Sequence, residues 1–495
     1  MRTHDLAELA RVVGAQAPSE QEHDLLVGPD VVIDSRRATP GALFVALPGE
    51  HVDGHDYAGA AAQAGAVAVL AQRPVAADVA TLVVDDAVEG LSRLGRHVVS
   101  EAKQRGLKVF ALTGSSGKTS TKDLLAQVLE AHGPTVAPVG SFNNEIGVPL
   151  TACRVDEHTR HLVSEMGARG PGHIAWLCSM TPPDIAAVVN VGTAHLGEFG
   201  SVEGISAAKG ELVEALSPQG WAVLNADDTA VAAMAQRTQA RLAWFSVGDQ
   251  RPDPVSSTDL WVQAARVEAD DLQRHDFDLV VHHPDGVDAT THRVRLPLIG
   301  AHHVANAAAA AAMAIAGGVD PALAAQVLGR VEVRSRWRME LLERLDGVAI
   351  INDAYNANPD SMAAALHAVA AIARARRSTT PMARAVAVLG DMLELGADAP
   401  ARHREVGRLA ATLGFDEVCA VGEWADEVVA GATECGVSAR VVSRDEASWL
   451  DLRVGDVVVV KASRGLALDE VAEALARPRG DGPTTGAEFE GGGQL

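Results

Sequence analysis

The sequence predicts an α/β protein of three domains: a central doubly wound parallel sheet flanked by a small N-terminal α/β domain and a C-terminal Rossmann-like domain. Three observations carry this expectation. The chain has 495 residues, and domains run to roughly 100–200 residues each. Short apolar, β-rich runs alternate with helical stretches along most of its length, the pattern of parallel strands joined by crossover helices. One of these runs, Val109–Leu112, ends in a glycine loop that opens into a helix, the strand–loop–helix order that places backbone N–H groups at a phosphate. The expected boundaries are 1–105, 106–333 and 334–477, followed by a Gly- and Pro-rich tail, 478–495, expected to be disordered.

Each element has its own justification. Asp5–Val13 has helical periodicity, and Val31–Ile33 and Leu43–Leu47 are strand candidates separated by the Thr39-Pro40-Gly41 turn. An alanine-rich helix over Tyr57–Gly65 precedes a strand at Val67–Leu70. In the central region, strands at Val109–Leu112, Leu162–Val163 and Ile185–Val189 alternate with helices starting near Lys118 and spanning Val202–Leu216. Between Asp249 and Pro297 the helical pattern lapses, and a β insertion with a Pro284-Asp285-Gly286 turn is expected, packed on the sheet edge. Helices at His302–Ala316 and Pro321–Leu328 close the domain, and Arg334–Arg338 reads as a hinge. Strands at Val348–Ile351, Ala385–Leu389, Val418–Val421 and Val457–Val460 then begin a new α/β series.

Composition narrows the function. Apolar residues are 47% and charged residues 22% of the chain, which is globular. Aromatic residues are only 3%, so alanine and aliphatic side chains must fill the core. Lys and Arg total 42 against 65 Asp and Glu, a formal charge of -23, so the average field repels nucleic acid and anionic membranes. An anionic substrate therefore needs a local basic pocket. The strongest apolar stretch, Ala307–Ala316, falls well short of the roughly 20 residues of a membrane span. No secretory signal pattern opens the sequence, so a cytoplasmic location is expected. Four cysteines without paired spacing read as free thiols.

The chemistry concentrates in Thr113-Gly114-Ser115-Ser116-Gly117-Lys118-Thr119-Ser120. Small residues let backbone N–H groups approach phosphate oxygens, Lys118 adds a point charge, and Thr119 is placed to bind Mg²⁺. The longer P-loop pattern would place a glycine where Leu112 stands, so only the GxxGKT core matches. Glu165 and His195 follow later strands, and a carboxylate and an imidazole beside the phosphates suit a second divalent ion. Lys209 lies in the Val202–Leu216 helix. Each also has a plain reading: a solvated strand-end carboxylate, a loop histidine, an exposed helical lysine.

Longer strings now matter. Asp34-Ser35-Arg36, the Gly41–Gly49 run, Asn143-Asn144-Glu145-Ile146-Gly147-Val148-Pro149, Glu165-Met166-Gly167, Ala208-Lys209-Gly210-Glu211, Asp353–Ser361 and Leu389–Gly396 together resemble the Mur ligases of peptidoglycan synthesis over nearly the whole chain. The C-terminal strings resemble the branch that joins D-alanyl-D-alanine to UDP-N-acetylmuramoyl-tripeptide. That resemblance implies an ATP-dependent amide ligase working through an acyl phosphate with Mg²⁺, two ions being expected. Lys118, Glu165, His195, Lys209, Arg336 and Asp353 would be catalytic, and Lys209, as a carbamate, would join Thr119, Glu165 and His195 at metal. Besides the phosphate loop, the nucleotide would meet Asn306, Arg336 and Asp353. Ser35, Arg36, Asn144, Tyr355, Asn356, Asn358, Lys461 and Arg464 would meet the other substrates. His303 stands where the family usually has asparagine, and an imidazole cannot reproduce an amide's paired hydrogen bonds. A monomer is expected. The competing readings are a related ligase adding a diamino acid to the dipeptide precursor, and a regulatory P-loop switch.

Overall fold

The computed structural model describes residues 1–17, 19–49, 52–192, 199–253, 255–284 and 287–477. Among these, the chain divides into two compact units whose principal boundary falls between Ser335 and Arg336. The first unit contains two main sheets. Its N-terminal part pairs β1 (His4–Asp5) antiparallel with β2 (Leu26–Val27). Beside this pair is a four-stranded parallel sheet of β3 (Val31–Val32), β4 (Leu43–Val45), β5 (Ala68–Ala71) and β6 (Ala80–Val83).

The helix Ala87–Gln104 joins the two parts of the first unit. Asp86 caps it, accepting hydrogen bonds from the backbone N–H groups of Val88 and Glu89. Leu91, Leu94, Val98 and Ala102 recur at helical spacing and are buried. They share one apolar cluster with Leu6 and Leu9 on one side and Val109, Leu150 and Leu162 on the other. Lys103 pairs with Asp184 at 2.9 Å, and the Arg96 Nε–H donates to the Ser179 carbonyl at 2.6 Å. The N-terminal and central domains thus keep separate sheets but share a core, which is why they form one unit.

The central sheet has nine strands in the order β15-β14-β13-β12-β11-β10-β7-β9-β8. These are β7 (Lys108–Thr113), β8 (Thr135–Val136), β9 (His161–Glu165), β10 (Ile185–Val188), β11 (Trp221–Asn225), β12 (Arg241–Val247), β13 (Leu260–Ala269), β14 (Arg274–His282) and β15 (Thr290–Ile299). Pairing is parallel from β8 to β13 and antiparallel from β13 to β15. The expected β insertion is therefore a continuation of the sheet itself. Asp285 and Gly286 of its expected turn lie outside the described residues. From β7 the chain winds first to β8 and β9 and then to the opposite side at β10, so the C-terminal end of β7 is a topological switch point where a crevice opens.

The helix His302–Ala316 closes over this sheet. Its residues Ala307 to Ala312 and Ala314 are fully buried, and it packs against the helix Lys118–His132 and against β12 and β13. Alanine keeps the packed backbones close at no cost in side-chain entropy, which compensates for the scarcity of aromatic residues.

The second unit is a six-stranded sheet in the order β16-β17-β21-β18-β19-β20. Its strands are β16 (Glu340–Glu343), β17 (Ala349–Asp353), β18 (Ala385–Gly390), β19 (Glu417–Val421), β20 (Ser438–Val441) and β21 (Val457–Lys461). All pairs are parallel except β16 with β17. Strands β17, β18 and β21 are apolar along their length, with β17 and β21 ending in polar residues, because both faces are covered. Among the described residues no helix is long and apolar enough to cross a membrane.

Candidate active site

The loop after β7 is held from below by a residue the sequence reading missed. Asn190, just beyond β10, accepts a hydrogen bond from the Ser116 N–H at 2.9 Å and donates through Nδ2 to the Ser116 hydroxyl at 3.0 Å. The Asn190 carbonyl accepts from the Ser115 N–H at 3.2 Å, and the Ser115 hydroxyl accepts from the Gly192 N–H at 2.9 Å. Gly117 has φ +75°, and a Cβ there would lie 2.5 Å from the Asn306 Oδ1. Glycine is thus required twice, for the left-handed turn and for the close approach. Lys118, the first residue of its helix, curls back so that Nζ donates to the Gly114 carbonyl at 2.6 Å.

A polar group gathers around Thr119. Its hydroxyl donates to the Glu165 Oε1 at 3.2 Å and lies 2.9 Å from the Ser141 hydroxyl. The Asn143 Nδ2 donates to the same carboxylate oxygen at 2.8 Å. Glu165 is buried at the end of β9, and its second oxygen, Oε2, has no hydrogen-bond partner among the described residues. This excludes the plain reading of a solvated carboxylate. A buried carboxylate oxygen without a donor, beside a hydroxyl, suits a hard divalent cation.

Lys209 completes the arrangement from the helix Val202–Glu214. It is 2% exposed, so it is no surface lysine. Burial, helped by the charge of Lys118, lowers its pKa to about 7, so the amine is largely neutral just above that pH. Its neighbours are structural: the Arg237 guanidinium covers Gly210 so tightly that a Cβ there would overlap it. The Glu211 carboxylate accepts from the Gly172 and Ala175 N–H groups at 2.6 and 3.0 Å, capping the helix His173–Met180. His195, expected beside Glu165, lies outside the described residues. Asn306 is buried against Gly117, and its Nδ2 has no partner among the described residues, leaving an amide donor at the loop. His303 is buried on the same helix.

Three family models match this architecture in sequence: Mur ligase family, catalytic domain, over residues 30–114; Mur ligase middle domain, over 112–314; and Mur ligase, glutamate ligase domain, over 337–464. The chain belongs to the Mur ligase family. Within that family it is 42% identical, over 95% of its own length and 97% of the relative's, to the UDP-N-acetylmuramoyl-tripeptide–D-alanyl-D-alanine ligase of Mycobacterium bovis. It is 35% identical to the Escherichia coli ligase of the same name, over 90% of this chain and 93% of that one. Among solved structures, MurF from Acinetobacter baumannii superposes with a TM-score of 0.79 at 30% identity, covering 95% of this chain and 98% of the other. The MurF ligase of Thermotoga maritima in complex with ADP gives 0.71 at 27% identity, covering 90% and 97%.

The remaining Mur-type positions have definite surroundings. Asp34 caps the short turn Ser35–Arg37, and the Arg36 guanidinium forks onto its carboxylate at 2.9 and 2.8 Å. Arg36 is otherwise exposed and Ser35 buried. Asn144 uses its side chain locally, accepting from the Gly147 N–H at 2.8 Å, while its neighbour Asn143 is the one that reaches Glu165. In the second unit, Lys461 is buried at the end of β21 and donates to the Asp353 carboxylate at 2.5 Å and to the Asn356 carbonyl at 2.9 Å. The Arg338 guanidinium lies 4.2 Å from the Tyr355 ring centre, and that of Arg464 lies 4.1 Å from the Trp337 ring centre. Arg336 is exposed and pairs with Glu473 at 2.9 Å. Asn358 forms a capping box with Ser361 at the start of the helix Pro359–Arg376.

Proposed function

We propose that the protein is an ATP-dependent amide ligase that joins D-alanyl-D-alanine to UDP-N-acetylmuramoyl-tripeptide, giving the pentapeptide precursor of peptidoglycan. The observation that carries this reading is a phosphate loop flanked by buried Glu165 and buried, readily neutral Lys209, in a chain alike over nearly its full length to ligases of that name. A carboxylate is a poor electrophile until one oxygen carries a phosphoryl group and so can leave as phosphate. The tripeptide carboxylate oxygen attacks the γ-phosphorus, the bond to the β-phosphate oxygen breaks, and ADP departs. The dipeptide amine then attacks the acyl carbon, the C–O bond to phosphate breaks, and the amine loses its proton.

In this sequence of steps the loop N–H groups and Lys118 compensate charge as it shifts toward ADP. Lys118 exchanges the Gly114 carbonyl for phosphate oxygens. Mg²⁺, two ions in our reading, would be held by Thr119, Glu165, His195 and Lys209 as its carbamate, and would supply Lewis-acid polarisation of the phosphates. A buried amine whose pKa has dropped to about 7 is suited to adding carbon dioxide, because the neutral nitrogen is the nucleophile. Ser35 and Arg36 are assigned to the uridine diphosphate end, and Asp353, Tyr355, Asn356, Lys461 and Arg464 to the dipeptide and nucleotide side. We place the enzyme in the cytoplasm, as a monomer.

The test supplies ATP, Mg²⁺ and UDP-N-acetylmuramoyl-tripeptide together with D-alanyl-D-alanine or with single amino acids. The expected result is a product heavier than the tripeptide by one D-alanyl-D-alanine less water, with stoichiometric phosphate. Phosphate release without an acceptor, or ligation of a diamino acid to the dipeptide precursor instead, would replace this reading with one of its competitors.

A further inference from the structure

A group of side chains in the N-terminal domain takes no part in nucleotide chemistry. His4 in β1 and Glu8 in the helix Leu6–Val13 are four residues apart; His97 and Glu101 are four apart on one face of the helix Ala87–Gln104. One ligating atom from each of the four lies within 4.8 Å of all the others. The His4 Nε2 is 3.8 Å from the Glu101 carboxylate, and the His97 Nε2 is 3.7 Å from both the Glu8 and the Glu101 carboxylates. The His4 side chain has no exposed surface. Its Nε2 and that of His97 are buried atoms without a hydrogen-bond partner among the described residues. The His4 Nδ1 lies 3.0 Å from the Glu8 Oε2, and a carboxylate only accepts, so Nδ1 is the donor and Nε2 is the nitrogen left for a metal.

We propose that His4, Glu8, His97 and Glu101 form a binding site for a divalent transition-metal ion, zinc, which fastens the first helix to the helix Ala87–Gln104. Two imidazoles with two carboxylates favour zinc over magnesium or calcium, which prefer all-oxygen shells. Tetrahedral zinc at ~2.1 Å from each ligand separates neighbouring ligand atoms by about 3.4 Å, so the three gaps of 3.7–3.8 Å close by a few tenths of an ångström, and the others, all within 4.8 Å, close by side-chain rotation. Glu8 gives up its hydrogen bond from the His4 Nδ1 when it turns to the ion. Four protein ligands leave no open position, so the ion is structural rather than catalytic. The cation now facing this cluster is Arg2, whose Nε and Nη2 lie 3.0 and 2.5 Å from the Glu101 carboxylate. Its side chain is 45% exposed, so it can swing into solvent when the metal enters from that side.

The test uses untagged, full-length protein, stripped with chelator and titrated with zinc chloride in excess Mg²⁺, which occupies the hard-cation positions of the nucleotide domain. One equivalent of zinc is expected to bind, with a raised melting temperature. His97→Gln should weaken that binding roughly tenfold or more and abolish the zinc-dependent rise in melting temperature, and His4→Gln with His97→Gln should remove the binding. Lys209→Ala should leave it unchanged. Cobalt in place of zinc should give the intense visible bands of a tetrahedral site in the parent and not in His97→Gln. If the double variant does not fold, His97→Gln, whose ring is partly exposed, decides. Equal zinc affinity in the parent and His97→Gln, or only the weak spectrum of six-coordinate cobalt in the parent, would overturn the site.

Discussion

Lys209 poses a sharp question at the scale of one residue, because a carbamate and an amine respond oppositely to small-molecule rescue. Lys209→Ala should lower turnover by roughly a thousandfold, as loss of a preorganised charge does, and formate or acetate should restore part of it by filling the vacated space. Rescue by short amines alone would identify a phosphate-contacting lysine instead, leaving the ligase reading intact. Lys118→Ala should remove phosphate release with a change in stability within about 0.5 kcal/mol, since its side chain lies against the loop rather than in the apolar core; steady-state kinetics beside a denaturant melt measure both. Lys118 and Thr119 stood out in the sequence because small residues, a cation and a hydroxyl at fixed offsets have few other uses, whereas Lys209 was given its role through the family resemblance. Asn190 and Asn143 did not stand out. Their role depends on which strand ends the sheet order brings together, and a lone amide in sequence has many.

Among the elements, β9 carries an acid-sensitive position. His161 begins the strand, stacked on His132 with ring centres 5.2 Å apart and set edge-on to Phe110. Burial, with the nearby His132 and Lys108, lowers its pKa from 6.5 to about 4. Between those two pH values the unfolded chain binds a proton that the folded chain refuses, so stability is full above pH 6.5 and falls as the pH drops toward 4. The contribution is about 2 kcal/mol. His161→Gln should narrow the difference between melting temperatures at pH 7 and pH 5, measured by circular dichroism. The helices His302–Ala316 and Pro321–Leu328 begin and end where the sequence places them, because glycine and proline punctuate their ends. Strands β6, β16 and β20 and the long helix Ala87–Gln104 went unread. Glu340–Glu343 and Ser438–Val441 are short and largely polar, and owe their conformation to pairing with β17 and β19 rather than to their own pattern.

For the molecule as a whole, the ligase reading asks that Lys118 of the first unit and Asp353 and Lys461 of the second act on one reaction, so a change in overall dimensions should accompany turnover. Small-angle scattering should report a smaller radius of gyration with nucleotide and both substrates than without; identical dimensions would remove the motion. The sequence placed a hinge across Arg334–Arg338, but most of that segment is braced. Glu332 exchanges backbone hydrogen bonds with the Gln127 amide at 2.9 and 3.1 Å, and Arg334 is salt-bridged to Glu130. Beyond the boundary, Trp337 and Met339 sit at φ +63° and +51°, costing about 1–3 kcal/mol each. They are held there by the Trp337 N–H on Glu340 at 3.0 Å, the Tyr355 N–H on the Trp337 carbonyl at 3.2 Å and the Met339 N–H on Asp353 at 3.1 Å. Ser335 makes no hydrogen bond among the described residues. Ser335→Pro, which fixes one dihedral and biases Arg334 toward extended conformations, should lower kcat while leaving nucleotide affinity near the parent value. The tether is thus an axle rather than a rope: fastened to the first unit at Glu332 and to the second at Trp337, it leaves the motion that the ligase reading asks for to the few bonds around Ser335.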